Sequence, residues 1–346
     1  MHVVVIGAGI VGLSTARELV SRHHRVTIVS DLDIGATTSA VAAASFKPRL
    51  VAAGPVSTSL LQASQRTLAR WARDGRGAGM GLSRITHVEA SHAPLAPRDY
   101  LHAMTDVRVL RAADGDALLP GCLHGVTYQT WFLDVGRALP TLRADLAAAG
   151  VGLVHEHVDA LDDATVLALE PDVVVNAAGM GAAALVEDPD LVAVRGQVVV
   201  IDRGVSDVVA SVSTDDAYVY PRGDDIVLGG TAERLTSDQA ARALAGARGD
   251  HFGTSPMDPD DAVTATILAR AGVVLGWLDD AVGDPGSWPI TAVRVGLRPW
   301  RPSGVRLEVV DDASLPVVHA YGHGGAGWTL APGTAEWVAD AVDDLD

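Results

Sequence analysis

Residues 7–12 read GAGIVG, placing Gly7, Gly9 and Gly12 between an apolar run, VVVI (3–6), and a helical pattern from Leu13 to Arg22. Glycines at this spacing suit a phosphate. The first permits a tight turn, the second lets backbone N–H groups approach a pyrophosphate, and the third lets helix pack on strand. Asp31 follows Gly12 by 19 residues, at the end of a second apolar run, HRVTIV (24–29). A carboxylate there accepts hydrogen bonds from a ribose, so the pattern is a dinucleotide turn. A second glycine cluster lies near the C-terminus, where VVHAYGHGGAGWTLAPGTA (317–335) holds five glycines between a strand pattern and a helical one. Backbone without side chains can form a wall against a flat ring. A helix starting at about Ala331 would offer its positive end to developing negative charge.

Other reactive side chains are isolated. His319 and His323 have no cysteine or carboxylate at ligand spacing, so they are read as packing and backbone partners, and no metal is expected. Cys122 is the only cysteine, which excludes an internal disulfide; LLPGCLHG supplies no base, and the thiol is read as inert and partly buried. Lys47 is the one lysine among 26 basic residues and lies in ATTSAVAAASFKPRL (36–50).

Those residues need elements to position them. Besides the two N-terminal strands, strand patterns occur at VGLVHE (151–156), DVVVNAAG (172–179), QVVVID (197–202), DDIVLGGT (224–231) and PVVHAY (316–321). Helical patterns occupy 56–73, 237–250 and 258–271, and a further helix is expected to be N-capped by Asp134 and closed at Gly150. The length of 346 residues suggests two domains, and the scatter of strands through the chain suggests that they interleave.

A formal net charge of -17 argues against nucleic acid and anionic membrane surfaces as partners. No cationic leader precedes the first strand, and no stretch is read as long enough to span a bilayer, so a cytoplasmic protein is expected. A homodimer is left open.

The C-terminal stretch, with its apolar pair, His319, Tyr321-Gly322, Gly324-Gly325, Gly327, Gly333 and Ala335, resembles the signature of the D-amino-acid oxidase family of flavoproteins. SDLDIGATTSAVAA resembles that family's ribose and flavin loop, DVVVNAAGMGA its central flavin strand, GLRPWRP (296–302) its carboxylate-binding strand, and AYVYPRGDDIVLGGT its lid and following hairpin. The motifs run in family order from first strand to last helix.

The resemblance implies an α/β fold: a Rossmann-like FAD-binding domain (1–55, 136–196 and 290–346) interleaved with a mixed-sheet α+β substrate domain (56–135 and 197–289). FAD is then the cofactor rather than NAD. Gly7, Gly9, Ile10 and Gly12 would hold the pyrophosphate and Asp31 the ribose, with Val158 against adenine. Thr37, Thr38, Ala43, Ala44 and Ser45 would line the flavin loop, and Ala178 and Gly179 the central strand. Gly324, Gly325, Gly327, Trp328 and Thr329 would face the flavin. Arg298 would clamp a substrate carboxylate bidentately, with Tyr218 adding a second hydrogen bond. The implied reaction is oxidation of a D-amino acid by O2, by hydride transfer from Cα, to a 2-oxo acid, ammonia and H2O2. Positioning and a dry pocket, at the wall that includes Gly325, would supply most of the catalysis.

The chain also departs from the family pattern. Ala44-Ser45-Phe46 replaces a Gly-x-aromatic segment, Lys47 stands where a neutral residue is usual, and Arg49 where a tyrosine is usual. The lid is short, and Ala232 rather than arginine follows GGT. These departures favour, as an alternative, a related flavoenzyme acting on a specialised amine or amino acid in a biosynthetic pathway. They make Lys47 a candidate for contacting a polar or anionic substrate group, or for assisting O2 reduction. Tyr220 is expected on the same strand face as Tyr218.

Overall fold

The computed structural model describes residues 1–96, 98–247, 255–311 and 315–346. Its strands are β1 (His2–Ile6), β2 (Arg25–Val29), β3 (Ser83–Ser91), β4 (Thr105–Arg111), β5 (His124–Phe132), β6 (Gly152–Val154), β7 (Val173–Asn176), β8 (Val192–Asp202), β9 (Ser211–Ser213), β10 (Tyr218–Pro221), β11 (Asp225–Gly229), β12 (Glu233–Arg234), β13 (Ile290–Trp300), β14 (Arg306–Val310) and β15 (Val317–Tyr321). The helices are α1 (Ile10–Ser21), α2 (Thr38–Val41), α3 (Pro55–Arg73), α4 (Val135–Ala148), α5 (Ala164–Leu167), α6 (Ala182–Leu185), α7 (Ser237–Ala247), α8 (Asp261–Leu278) and α9 (Gly327–Asp343).

Two sheets organise the chain. The first runs in the order β14-β15-β7-β1-β2-β6 and is parallel except for β14 at its edge. Its inner strands are continuous apolar runs because both faces are covered: Val3, Val4, Val5, Val173, Val174 and Val175 are fully buried. Helices α1, α3 and α9 stack on one side, with Leu13, Leu19, Leu60, Leu68 and Val338 in the same apolar cluster as Val3 and Val5. Each such side chain contributes roughly 1.5–3 kcal/mol. The second sheet follows β12-β8-β11-β10-β9-β3-β5-β4, with β13 paired antiparallel along β8. Helix α8 covers part of it through Ile267, Ala271, Val274 and Leu275.

Several expectations shift. The expected boundary at 196/197 falls inside β8, and residues 290–300 pair with that strand, so both segments belong to the second sheet. Helix α3, assigned above to the substrate domain, packs on α9 beside the first sheet; the amphipathic stripe of Leu60, Leu61, Leu68 and Trp71 decides this. Helix α9 begins at Gly327, a full turn before the expected start near Ala331. Pro332 therefore lies inside the helix, in its second turn, where it has no N–H to donate to Trp328 O. Gly333 lets α3 approach: a Cβ there would lie 2.2 Å from the Leu60 carbonyl oxygen. Asp134 caps α4 by accepting from the Gly136 N–H at 3.0 Å, as expected.

Helix α8 starts three residues later than expected, at the Asp260 cap, and runs on to Leu278. With 18 residues and a mean hydropathy of 1.4, it has the length and composition of a bilayer-crossing segment, contrary to the expectation that no stretch would. The expected helix 237–250 is observed to Ala247, and 248–250 lie outside the described residues.

Candidate active site

A cleft of about 440 Å³ runs along the carboxyl ends of β1, β2 and β7 to the face of the second sheet, a volume typical of small-molecule sites. At the β1 turn, Gly7 has φ +112° and donates its N–H to Val29 O at 2.8 Å; a Cβ there would lie 2.5 Å from Ala177 O. Gly9 is the N-cap of α1, and the Ile10 N–H donates to Ser39 Oγ at 2.9 Å. Both Gly9 and Ile10 line the cleft, as do Asp31, Val158, Ala178 and Gly179. His157 Nδ1 lies 2.9 Å from Asp31 Oδ2, so a histidine the sequence reading overlooked shares the carboxylate expected at the ribose.

The flavin loop divides. Thr37 and Thr38 line the cleft, with their hydroxyls donating to Ile34 O (2.7 Å) and Leu297 O (2.9 Å). Gly12, Ala43, Ala44, Ser45 and Thr329, also expected at the cofactor, lie off the lining of this cleft. Gly12 serves packing, since a Cβ would come within 1.9 Å of Gly7 O. Ala44 O accepts from the Leu133 N–H, Ser45 bridges to Phe132, and Ser45 O accepts from Thr329 Oγ1 at 3.2 Å. These backbone bonds anchor the loop to β5 and α9.

The C-terminal glycines line the cleft at Gly324, Gly325 and Gly327, beside Trp328, whose indole N–H donates to Ser39 O at 3.0 Å. Their smallness serves a second purpose. Gly324 has φ +56°, and a Cβ would lie 1.8 Å from Leu50 O; at Gly325 it would lie 2.9 Å from Arg49 O. The loop from Lys47 to Leu50 therefore presses directly on the glycine turn.

Arg298 and Tyr218 come from different strands, β13 and β10, and both face the cleft. Arg298 Nη1 donates to Thr231 O at 2.9 Å. Burial pushes its guanidinium below the usual arginine value, and the neighbouring Tyr218 hydroxyl partly offsets this. Two mid-strand glycines make room: a Cβ on Gly196 would lie 2.2 Å from Arg298 Nη1, and one on Gly229 2.4 Å from the Tyr218 hydroxyl. Sequence reasoning missed both, although a glycine inside a strand marks a close approach.

Tyr220 shares a face with Tyr218, with ring centroids 4.9 Å apart, and packs on His87 and Phe132. It does not line the cleft.

Lys47 is neither at the surface nor in the cleft, which corrects its placement as a catalytic candidate. With 11% of its side chain exposed, it pairs with Glu89 at 3.1 Å and donates to Ser213 Oγ at 2.7 Å. A buried ammonium needs such partners, and β3 and β9 bring them. Burial, with Arg98 and Arg49 adding positive charge, moves Lys47 down to about 8 despite Glu89. Burial also pulls Glu89 upward, but Lys47, His87 and the Tyr100 and Tyr128 hydroxyls outweigh it and hold the carboxyl at about 2. Arg98 and Tyr100 donate to the same carboxylate, and Tyr128 does so at 2.7 Å. His87, bonded to Ser211 and Ser213, is held neutral by burial and by Lys47.

Among the described residues, no three His, Cys, Asp or Glu side chains converge as metal ligands. His323 Nε2 meets Thr334 Oγ1 at 2.9 Å, and His319 Nδ1 lies 3.4 Å from Asn176 Nδ2. Cys122 is buried in an apolar cluster, and burial pushes its thiol up.

The family model "FAD dependent oxidoreductase" matches residues 2–341, and the chain belongs to that family. The chain is 33% identical to a D-amino-acid oxidase of Rubrobacter xylanophilus, covering 97% of this chain and 94% of that protein. It is 31% identical to one of Streptomyces coelicolor, covering 98% and 95%. In fold it is similar to glycine oxidase from Geobacillus kaustophilus, with a TM-score of 0.75 at 20% identity over 99% of this chain and 94% of that one. The protein is an FAD-dependent oxidoreductase of the amino-acid and amine oxidase type.

The cleft fits that cofactor. Gly7 and Gly9 put no side chain between the start of α1 and the cleft, so they would hold the pyrophosphate there, and Asp31, bonded to His157, would take the ribose. Gly325, Gly327 and Trp328 line the part of the cleft at the start of α9.

Proposed function

We propose that the enzyme oxidatively deaminates a D-α-amino acid, giving a 2-oxo acid, ammonia and H2O2. The observation that carries the reading is the cationic Arg298, reached over Gly196 and paired with Tyr218, facing the same cleft as the cofactor-binding turns. A guanidinium binds a carboxylate bidentately and fixes the α-carbon in one orientation. Tyr218, 6% exposed and backed by Gly229, is held still enough to donate a second hydrogen bond.

Bound FAD supplies the two-electron acceptor for the Cα hydride, and O2 regenerates it with release of H2O2. The chain's task is positioning. Arg298 and Tyr218 hold the carboxylate, while Val198 and Leu297 contribute an apolar lining that excludes water. The amine leaves as an imine, and water converts it to ketone and ammonia; no side-chain nucleophile is needed. The Rubrobacter xylanophilus and Streptomyces coelicolor relatives, both D-amino-acid oxidases, support the D configuration.

The test is peroxide and 2-oxo-acid formation by the purified yellow protein across matched panels of D- and L-amino acids. Turnover confined to D-isomers is expected. Turnover confined to L-isomers, or none with any D-isomer, overturns the reading.

A further inference from the structure

Strand β6 pairs parallel to β2 with Val154 opposite Val29, and the Ser30 N–H donates to Val154 O at 3.0 Å. That register carries the chain beyond β6, residues 155–159, alongside the residues that follow β2. Two short patterns meet there: Asp31 and Asp33 on one side, His155 and His157 on the other. His157 Nδ1 lies 2.9 Å from Asp31 Oδ2, and its Nε2 lies 3.2 Å from Asp159 Oδ1. His155 Nε2 stands 3.9 Å from Asp33 Oδ1. Val158, buried in one apolar cluster with Val4, Ile6 and Val29, fixes the backbone next to the His157 ring.

The carboxylates of this corner need those rings. Asp31, Glu156 and Asp159 line the cleft together with His157, in a chain of formal net charge -17. FAD brings two phosphates of its own to the same cleft. Like charges brought close repel unless a donor or a cation stands between them. Asp31 has a geometric task as well, because a ribose hydroxyl is a directional partner. A carboxylate oxygen only accepts, so the ring nitrogen facing Asp31 carries the proton. With one oxygen held in this way, the Asp31 carboxylate keeps one orientation at the cleft.

We propose that His157 is a positioning residue for the cofactor: it holds Asp31 in the orientation that receives the ribose of the adenosine half, and FAD affinity depends on the ring through that carboxylate. The ring itself needs no contact with FAD. The proposal rests on Asp31 as the ribose carboxylate and adds the side chain that sets it; it is independent of which amine is oxidised.

The experiment measures the FAD affinity of the full-length chain, stripped of flavin and titrated with FAD by the quenching of flavin fluorescence. The His157 side chain is 47% exposed, so replacing it leaves the core intact. Asp31→Asn should weaken FAD about tenfold or more, and His157→Phe about tenfold, the size of one hydrogen bond to a charged group. His157→Asn, whose amide N–H reaches the place of Nδ1, should stay within about threefold of wild type. The double variant should bind no more weakly than Asp31→Asn alone, because both changes remove one contact. An FAD analogue whose adenosine lacks both ribose hydroxyls isolates the route: wild type and His157→Phe should bind it within about twofold of each other. Wild-type FAD affinity in His157→Phe, an equal loss with the analogue, or a loss that adds in full to that of Asp31→Asn overturns the proposal. If Asp31→Asn binds FAD as wild type does, the ribose role of Asp31 falls and the proposal falls with it. A loss in Asp31→Asn with none in His157→Phe sinks the role of His157 alone.

Discussion

Substituting Gly196→Ala should disable the substrate clamp without touching any residue that chemistry would single out. Gly196 lies mid-strand in β8, opposite Gly296 of β13, and the Arg298 guanidinium lies against it. A Cβ there would stand 2.2, 2.3 and 2.3 Å from Nη1, Cζ and Nη2. Non-bonded heavy atoms rest about 3.5 Å apart, so the guanidinium must retreat by more than about 1 Å. It is the far end of a flexible side chain, so the fold gives way cheaply, and alanine is preferred over glycine within a strand by roughly 0.5–1 kcal/mol. The cost falls on catalysis: a misplacement of about 1 Å can lower the rate about a hundredfold, or roughly 2.7 kcal/mol of transition-state binding. Gly196→Ala should therefore purify yellow, melt close to wild type, and lose about two orders of magnitude in kcat/KM. Arg298→Met should lose at least as much with the flavin spectrum unchanged. If Gly196→Ala keeps kcat/KM within threefold, Arg298 does not hold the substrate where the structure places it.

Gly9→Val should yield folded protein with little FAD, because a Cβ there meets only Ser39 Oγ, at 3.2 Å, and the larger side chain fills the phosphate space; flavin content per chain after gel filtration checks it. Gly7 is a poorer test, since φ +112° and the contact with Ala177 O would damage the fold as well. Glu89→Gln should destabilise at pH 7 by roughly 3 kcal/mol, because it leaves Lys47 and Arg98 buried without their carboxylate. Glu89 titrates near 2 when folded against 4.5 for an ordinary glutamate, so its contribution is complete above pH 4.5 and is lost as pH falls toward 2. Urea unfolding should show the gap between wild type and Glu89→Gln narrowing by about 1.4 kcal/mol for each unit below pH 4.5; a gap that stays constant down to pH 3.5 refutes this. Lys47→Met should lower the melting temperature, because it leaves Glu89 without its buried ammonium, and should leave reoxidation of the reduced flavin by O2 at its wild-type rate in stopped flow. Slowed reoxidation alone would return Lys47 to a role with O2.

The features legible in the sequence are those that local chemistry dictates. The dinucleotide turn at Gly7, Gly9 and Asp31, the valine-rich strands buried on both faces, and the Asp134 cap depend on neighbours within a few residues or on one repeating pattern, and each can be read from the chain in order. The C-terminal signature likewise carried the family. What sequence order hid was determined by contacts far apart along the chain. Lys47 could be a surface residue or a site residue until β3 brought Glu89, 42 positions later, to within 3.1 Å of it. Gly196 and Gly229 look like ordinary strand glycines until the side chains of Arg298 and Tyr218 occupy the space above them. Gly324 and Gly325 read as a wall for the cofactor, yet they also admit the Arg49–Leu50 backbone, because the loop and the turn meet only after both sheets have formed. A side chain's type and its local spacing state which interactions it can make. Which of them it does make depends on the charge and volume that distant strands bring up against it.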